Sequence, residues 1–430
     1  MKRSFPIVLL VFLIFFVISF LTNILGPLVP DIINGFSLSL ALAAFLPFSF
    51  FVAYGVMSIP AGMLLERFGQ KAVLAGAFVL AFAGSCLFAT LPSFAVALAS
   101  LFTIGIGMTL LQVAINPLLR VSGGEENFAF YSVMAQLVFG SASFFSPYVY
   151  SYLVTRLQGY SGGRNALVDA LARVVPPALP WVSLYWVFSA VTAAMVVVLL
   201  LVRLPRVVLT AEERPGAWAT HRALLGQRTV WLYFFGIFAY VGTEQGVANW
   251  ISKFLQTYHG VNPQVEGAQV VSHFWGLMTA GCLLGLVLLK LFDCRRVLIA
   301  FCLAAIVCLT AALTGGAAVA MASFRLFGFC LSVMWSIVFS LALNSLSEHH
   351  GTFSGILCTG ILGGAFVPLA VGQIGNALGL RTGLLLVYLT LGYLLAIGFW
   401  AKPLVDNATI SFRELAMAVP KALRRAARRG

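Results

Sequence analysis

Apolar runs of about twenty or more residues recur along almost the whole 430-residue chain, with few charged residues between them. A run of about 20 apolar residues is the length of helix that crosses a ~30 Å hydrocarbon core. Because 61% of the residues are hydrophobic and only 9% are charged, a water-soluble fold of this size could not bury the apolar surface, and disorder is excluded. A transmembrane β-barrel is disfavoured because its strands alternate apolar and polar residues. The sequence therefore predicts a helical protein that crosses the membrane many times.

Charged residues and Gly/Pro turns divide the apolar runs into twelve predicted spans. Each run is long enough for a helix to cross the bilayer, in some cases with tilt. The predicted fold class is an all-α membrane protein with twelve transmembrane helices in two pseudo-symmetric six-helix bundles. The predicted spans are 5–30, 37–65, 72–91, 95–119, 128–154, 179–202, 229–252, 268–291, 297–314, 317–346, 352–376 and 383–401.

Lysine and arginine are distributed unequally between the two ends of these spans. If both termini are cytoplasmic, most of the 26 Lys and Arg residues lie in inner loops and in the tail. The exceptions are Arg156, Arg164, Arg173, Lys253 and Arg381, which are predicted outside, and Arg325, which lies within a span. Cytoplasmic loops of membrane proteins carry an excess of basic residues. We therefore predict a multi-pass protein of the cytoplasmic membrane with both termini inside, and attribute the net charge of +13 to topology and not to a nucleic-acid partner.

The longest polar interruption inside the chain separates six spans from six. We predict an N-terminal bundle over 1–203, a cytoplasmic linker over 204–228, a C-terminal bundle over 229–402 and a basic cytoplasmic tail over 403–430. Apolar residues of the tail fall near one helical face, so the tail could lie on anionic lipid of the bilayer. A solvated basic tail that only fixes the topology is the open alternative.

A polar motif, Gly62-Met63-Leu64-Leu65-Glu66-Arg67-Phe68-Gly69-Gln70-Lys71, follows the second span. It resembles the loop 2–3 signature of the major facilitator superfamily, glycine-x-x-x-aspartate-arginine-x-glycine-arginine/lysine-arginine/lysine, with Glu66 and Gln70 as departures. The resemblance implies a cytoplasmic gate made of Gly62, Glu66, Arg67, Gly69 and Lys71. Arg67 and Lys71 would pair with carboxylates across the interface between the halves, and these pairs would break when the protein opens inward. That the two cations serve only as topology charges is the alternative.

Three further blocks narrow the resemblance: Asn116-Pro117 at the end of span 4, Gly242-Thr243-Glu244 in span 7 and Gly363-Gly364-Ala365 in span 11. Together they resemble the fucose–galactose–proton symporter family, from about residue 15 to 400. This resemblance implies proton- or sodium-coupled uptake of a monosaccharide by alternating access. The chain departs from the family at two places, because it has no aspartate in the stretch around Asn23 and has Gln112 where the family has a glutamate. A glutamine cannot titrate, so these positions cannot carry the proton.

Glu244 is the remaining deep carboxylate, about eight residues or ~12 Å from the predicted outer end of span 7. A charge at the bilayer centre costs about 2.5–3.5 kcal/mol on insertion scales, and such groups usually serve function. We predict that Glu244 is the cation-coupling residue, with a purely structural hydrogen bond as the alternative. Arg325 lies at a similar depth in span 10, where it could pair with Glu244, meet the substrate or snorkel to the interface.

Candidate substrate ligands are amide, aromatic and cationic side chains at membrane depth, because sugar hydroxyls need hydrogen-bond partners and sugar C–H faces need aromatic rings. Amides in spans otherwise serve as interhelical hydrogen bonds, and we expect about half of them to do so. The candidates are Asn23, Gln112, Asn116, Gln136, Gln245, Asn249, Trp250, Arg325, Trp335 and Asn344.

The chain has no nucleotide-binding P-loop, no His-Glu-x-x-His zinc motif, no nucleophile elbow and no Cys-x-x-Cys pair. This disfavours an enzyme, an ATP-driven pump, a cofactor and a metal site. The sequence predicts a monomeric secondary transporter of a small polar solute, with a co-transported proton or sodium ion. An exporter or an organic-anion or drug carrier of the same fold, with Arg325 meeting the anion, is the alternative; a sensor built on a carrier scaffold is disfavoured because no soluble domain is added.

Overall fold

The computed structural model describes residues 4–124, 128–159, 165–204, 218–346 and 349–404. Every regular element in these ranges is helical. Helices are the expected outcome for continuous apolar runs, because in lipid each backbone N–H and C=O must find its partner within the chain.

The first half of the chain forms eight α-helices, of which several join end to end within one span. A 3-10 turn at Pro180–Val182 precedes the last of them. The helices are α1 (Phe5–Thr22), α2 (Leu25–Phe36), α3 (Leu40–Ala43), α4 (Phe45–Thr90), α5 (Phe94–Gly123), α6 (Phe128–Leu157), α7 (Ala166–Val174) and α8 (Ser183–Leu201).

The second half contributes eleven α-helices, with a π-helical turn at Pro263–Gly267 and a 3-10 turn at Gly360–Leu362. They are α9 (Trp218–Leu225), α10 (Arg228–Ala248), α11 (Ile251–His259), α12 (Ala268–Leu291), α13 (Cys294–Thr314), α14 (Ala317–Leu331), α15 (Met334–Leu343), α16 (His350–Thr359), α17 (Gly363–Leu378), α18 (Leu380–Leu384) and α19 (Val387–Trp400).

These helices make twelve spans within the described residues. Nine segments are long and apolar enough to cross a membrane. One of them, Leu40–Thr90, holds spans 2 and 3, because Gly69 interrupts it with φ 77° and ψ 170°, a conformation that is essentially confined to glycine. Helix α6 is span 5, and α10 with α11 forms span 7. We call the side where α1 begins and α19 ends the inner side, and the opposite side the outer side.

Spans 1, 7 and 10 are each broken near the middle: α1 gives way to α2 at Asn23, α10 to α11 at Asn249, and α14 to α15 at Ser332. Two of these spans are also longer than predicted, since span 1 runs to Phe36 and span 7 to His259. The predicted ends at 30 and 252 are wrong, because the helices continue past the charged residues Asp31 and Lys253 that follow them. In the structure Asp31 is only 7% exposed and accepts hydrogen bonds, as described below.

The connection between the halves falls close to the predicted linker. Helix α8 ends at Leu201 and α10 begins at Arg228, with the short helix α9 between them. Residues 205–217 of the predicted linker lie outside the described residues. So does the predicted basic tail from residue 405 onward.

Buried side chains form two large hydrophobic clusters, one drawn mainly from α1–α8 and the other mainly from α9–α19. The clusters exchange a few members where the halves meet: Ala268 and Ala365 pack with the first cluster, and Val29, Ile33, Ala43 and Ala44 pack with the second. The fold is thus two helical bundles with a shared seam.

Close contacts across the seam are concentrated at the outer side and in the middle of the spans. A Cβ at Gly26 in α2 would overlap the Ala248 carbonyl of α10, so the breaks of spans 1 and 7 lie against each other. The Phe48 and Phe366 rings of spans 2 and 11 meet edge to face with centroids 5.5 Å apart, and nearer the outer ends Gln373 Nε2 donates to the Ala41 carbonyl at 3.0 Å. These contacts close the outer side of the molecule.

Candidate transport site

Glu244 lies at the centre of span 7, about 16 residues or ~24 Å from Arg228 and about 15 residues or ~22 Å from His259. Its carboxylate accepts a hydrogen bond from the Tyr240 hydroxyl at 2.8 Å on Oε2. A second bond comes from Gln245 Nε2 at 3.0 Å on Oε1. Two donors from its own helix therefore hold the carboxylate, and no ion pair joins it to Arg325 in the part of the chain that the structure describes.

The amides next to Glu244 bond mainly to each other. Asn249 Nδ2 donates to the Gln245 backbone carbonyl at 2.8 Å and to Gln245 Oε1 at 3.1 Å. Both side chains are buried. Because the helix is interrupted at Asn249, the Asn249 amide takes over hydrogen bonding near the end of α10. It also holds the Gln245 side chain, which donates to Glu244 Oε1.

Aromatic rings continue from Tyr240 into span 10. The Tyr240 and Trp335 rings lie 5.8 Å apart between centroids. Trp335 in turn stacks on Phe339 at 5.8 Å with an interplanar angle of 17°. We call Tyr240, Glu244, Gln245, Trp335 and Phe339 the acid–aromatic cluster.

A cavity of about 370 Å³ lies beside the acid–aromatic cluster. Its walls come from α15, the inner half of span 10, and combine aromatic rings with hydroxyl and amide groups. Its lining residues are Trp335, Ser336, Phe339, Ser340, Leu343 and Asn344. An aromatic face with a few polar groups is typical of pockets for small polar ligands.

The break of span 10 is also held by span 8. The Cys282 thiol of α12 donates to the Ser332 carbonyl at 3.2 Å, where α14 ends. Span 8 is therefore bonded to span 10 three residues before Trp335 of the acid–aromatic cluster.

The amides of the first half are dispersed. Asn23 is buried at the break of span 1, where its Nδ2 donates to Ser143 Oγ at 2.8 Å. Gln112 is half-buried, whereas Asn116 and Gln136 are exposed. Asn23 is thus held between spans 1 and 5, while the other three keep polar groups accessible.

Trp250 is not part of the cavity wall. Its side chain is 1% exposed, and its Nε1 donates to the Pro368 carbonyl at 3.3 Å. It packs on the outer side of the seam, near Gly372. Among the predicted substrate ligands it is the one that the structure buries most completely among apolar neighbours.

Arg325 is half-buried in α14. Its Nε is buried and has no hydrogen-bond partner among the described residues. A buried guanidinium nitrogen without a partner is unfavourable, and this marks Arg325 as a group with unused binding capacity.

The predicted gate residues lie in the turn between spans 2 and 3. Lys71 Nζ donates to the carbonyls of Leu200 and Val202, both at 3.0 Å, so it caps the end of α8 in its own half. Glu66 is exposed, and the exposed Arg67 lies over the Phe68 ring at 5.3 Å. Within the described ranges, neither forms an ion pair with the other half.

The equivalent turn between spans 8 and 9 is organised differently. Asp293 Oδ1 accepts from the Arg295 backbone N–H at 2.8 Å and thereby caps α13. The Arg295 guanidinium lies 3.0 Å from Asp293 Oδ2, and this hydrogen bond holds the pKa of Asp293 below its ordinary 3.8. No group of three His, Cys, Asp or Glu side chains suited to a metal ion occurs among the residues that the structure describes.

Sequence reasoning missed Tyr240, Ser336 and Ser340. Tyr240 precedes Glu244 by four residues, the spacing at which helical side chains meet, so this partner could have been found. The two serines share a helical face by the same spacing, but their exposure to a cavity depends on how span 10 packs.

Comparison with known proteins decides the family. A model described as the Major Facilitator Superfamily matches residues 11–368. The chain belongs to the Major Facilitator Superfamily. This confirms the predicted fold class, and the family's members are transporters and not enzymes.

The sequence relatives are sugar transporters by name. A glucose/galactose transporter of Brucella abortus (strain 9-941) is 30% identical over 394 residues, which is 89% of this chain and 90% of that protein. The L-fucose-proton symporter of Escherichia coli (strain K12) is 24% identical over 386 residues, covering 85% of this chain and 86% of that one. These relatives confirm the resemblance that the motifs predicted.

Solved structures give the same fold. A bacterial homologue of the human lysosomal transporter Spinster, inward-facing and occupied, aligns with a TM-score of 0.77 at 17% identity, covering 92% of this chain and 96% of that one. The outward conformation of the transporter FucP aligns with a TM-score of 0.65 at 20% identity, covering 93% and 99%. The protein is a multi-pass membrane protein of this superfamily.

Proposed function

We propose that the protein is a cation-coupled monosaccharide transporter, in which a proton or sodium ion enters with the sugar by alternating access. The observation that carries the proposal is the position of Glu244, at the centre of span 7 and one aromatic ring away from the cavity of span 10. Relatives named as glucose/galactose transporters and as a fucose–proton symporter support the substrate class and the coupling.

The acid–aromatic cluster suits both parts of this task. Trp335 and Phe339 offer apolar ring faces to the C–H side of a sugar, while Ser336, Ser340 and Asn344 offer hydroxyl and amide groups to its hydroxyls. Glu244 can take up a cation because its carboxylate is anionic, and Tyr240 links it to these rings. Neutralising that charge removes the cost of a lone charge in the membrane interior, and this lets the loaded site pass between its two orientations.

The remaining polar groups of the first half would complete the site from the opposite wall. The amide groups of Gln112, Asn116 and Gln136 have no side-chain hydrogen bond within the described residues, whereas Asn23 is engaged with Ser143. We assign the first three to substrate hydroxyls and Asn23 to the rigidity of the span 1 break. Gln245 and Asn249 would position Glu244.

The loop 2–3 residues would act as the inner gate. In the present conformation the outer side is closed, and Glu66 and Arg67 form no ion pair with the part of the other half that the structure describes. Gly62, Glu66, Arg67, Gly69 and Lys71 would meet the second half when the inner side closes.

We further propose that the protein works as a monomer in the cytoplasmic membrane, with both termini inside. The distribution of Lys and Arg supports this orientation. The basic tail would then face the cytoplasmic surface of the bilayer.

The decisive experiment is uptake into proteoliposomes of labelled glucose, galactose and fucose, each with an inward proton gradient, an inward sodium gradient or no gradient. One cation per sugar at 100 mV contributes about 2.3 kcal/mol, or roughly fifty-fold accumulation. Glu244→Gln should abolish accumulation and retain counterflow exchange, because the cavity remains while the charge is lost.

Glu266→Gln is the matched control, because Glu266 is exposed in the first turn of span 8 and should leave accumulation unchanged. Accumulation by Glu244→Gln at the wild-type level would remove Glu244 from the coupling role. Absence of transport for all three sugars would overturn the substrate class.

An organic-anion carrier is the second candidate, because the buried Nε of Arg325 has no hydrogen-bond partner in the described ranges. The same vesicles should therefore be tested with mono- and dicarboxylates. Carboxylate uptake that is lost in Arg325→Gln, without sugar uptake by the wild type, would favour this alternative.

A further inference from the structure

A second carboxylate lies in the membrane-spanning region, away from the acid–aromatic cluster. Asp31 belongs to α2, the outer half of span 1, and is 7% exposed. The Tyr150 hydroxyl of α6 donates to Asp31 Oδ2 at 2.6 Å, and Tyr150 itself is fully buried. The first half of the protein thus supplies one strong donor to this carboxylate.

The other half supplies the second donor. Gln264 Nε2 donates to Asp31 Oδ1 at 2.9 Å, although the two residues are 233 positions apart in the chain. Gln264 lies in the first turn of span 8, where its backbone N–H donates to Asn262 Oδ1 at 2.9 Å. The cap fixes the direction from which the amide reaches across the seam.

We propose that Asp31, Tyr150 and Gln264 form an outer latch, which holds the outer side of the transporter shut. Tyr150 and Asp31 belong to one bundle and move together, whereas Gln264 belongs to the other. When the bundles separate on the outer side, as the alternating access of the proposed function requires, Asp31 loses its bond to Gln264 and keeps its bond to Tyr150. The closed state therefore gains one charge-assisted hydrogen bond that the outward-open state lacks.

A purely structural role does not explain this arrangement equally well. An aspartate is costly at this depth, and an apolar side chain could fill the same space between α2 and α6. The carboxylate is useful where its second oxygen has a partner in one conformation only. The breaks of spans 1 and 7 meet on the same seam, where a Cβ at Gly26 would overlap the Ala248 carbonyl.

The test measures the distance between the two halves on the outer side directly. Spin-labelled unnatural amino acids at Leu167 in α7 and at Leu378 in α17, both exposed on the outer side, leave the seven native cysteines in place. Pulsed electron–electron resonance in lipid vesicles without substrate then gives the fractions of outer-closed and outer-open molecules. Gln264→Leu should raise the open-to-closed ratio by about tenfold, the effect expected of one charge-assisted hydrogen bond.

Gln256→Leu is the matched control, because the Gln256 side chain bonds Lys253 within its own half, and the distances should stay as in the wild type. Tyr150→Phe should shift the ratio less than Gln264→Leu, since it leaves the bond across the seam. An unchanged distance distribution in Gln264→Leu, or an equal shift in Gln256→Leu, would overturn the latch.

The outcome is separable from the proposed function, because the distances need neither sugar nor ion gradient. A latch confirmed in vesicles that fail to take up sugar would contradict only the substrate assignment. Gln264→Leu leaves the buried Asp31 unchanged and should fold, because Gln264 is half-buried at the start of its span.

Discussion

The outer and inner sides of the molecule use the same kinds of residue for different purposes. On the outer side Trp250, Asp31 and Gly26 are buried, and Asp31 and Gly26 contact residues across the seam. On the inner side Trp335 lines a cavity, and Asn116 is exposed. The outer side is organised as a packed core, and the inner side as a binding surface.

This difference teaches that depth along a span decides the role of a polar or aromatic residue in this fold. An outer tryptophan contributes packing to a closed seam, whereas an inner tryptophan presents its ring to a ligand. Matched substitutions, one on each side, test whether the outer residues act in packing and the inner residues in binding.

The two tryptophans should give the largest contrast. Trp250→Ala removes a fully buried ring and its hydrogen bond to Pro368, so we expect a loss of about 3–5 kcal/mol in stability. Trp335→Ala should lower sugar affinity about tenfold, or ~1.4 kcal/mol, with a much smaller loss of stability. Thermal unfolding in detergent and counterflow titrations measure the two effects. If both variants lose affinity and stability alike, the separation of packing from binding is wrong.

Tyr240→Phe tests the coupling role of the hydrogen bond that Tyr240 donates to Glu244 on the inner side. It removes one of the two donors to the Glu244 carboxylate while keeping the ring that contacts Trp335. A hydrogen bond to a charged group is worth about 1.5–3 kcal/mol, so gradient-driven uptake should fall by roughly tenfold or more with counterflow largely retained.

Tyr233→Phe is the control for this substitution, because the Tyr233 hydroxyl bonds Ser345 at 2.9 Å, away from the carboxylate. Equal losses of driven uptake in the two variants would show that Tyr240 does not act through Glu244.

Gly26→Ala tests how tightly the two halves pack on the outer side. A Cβ there would overlap the Ala248 carbonyl in the other half, and overpacking of this kind costs about 1–3 kcal/mol. The closed state alone bears this cost, so the outer-open fraction should rise in the distance measurement between Leu167 and Leu378. Gly76→Ala is the control, because no atom lies within 4 Å of a Cβ at Gly76; a closed population that survives Gly26→Ala unchanged would contradict a tightly packed seam.

The sequence predicted the parts of this architecture that depend on local properties. Apolar length identified the spans, charge asymmetry suggested the orientation, and depth singled out Glu244. Of the residues around Glu244, Gln245 and Trp335 were among the predicted candidates, whereas Tyr240 was missed although it lies one helical turn away.

Other features could not be predicted, because they depend on which spans meet. Asp31 marks a span end by its charge alone, and only the tertiary structure brings Tyr150 and Gln264 to it. Trp250 and Trp335 have similar apolar surroundings in sequence, and their different roles follow from the closure of the outer seam. The breaks at Asn23, Asn249 and Ser332 likewise carry no proline at the break itself.

Substitution of Asp293 should have the smallest effect on stability, because Asp293 lies in the turn between spans 8 and 9, where solvent screens its ion pair with Arg295. Its pKa in the folded protein lies below the ordinary 3.8. The folded state therefore binds the proton less readily than the unfolded state, so the ion pair contributes stability above about pH 4 and loses it as the pH falls through the folded pKa. Asp293→Asn keeps the cap of α13 and should cost a few tenths of a kcal/mol, roughly, at neutral pH, whereas Asp293→Ala also removes the cap and should cost about 1 kcal/mol. Thermal unfolding between pH 7 and pH 3 should show the Asn variant and the wild type converging at the acid end, and a gap that widens there would contradict the ion pair as the cause.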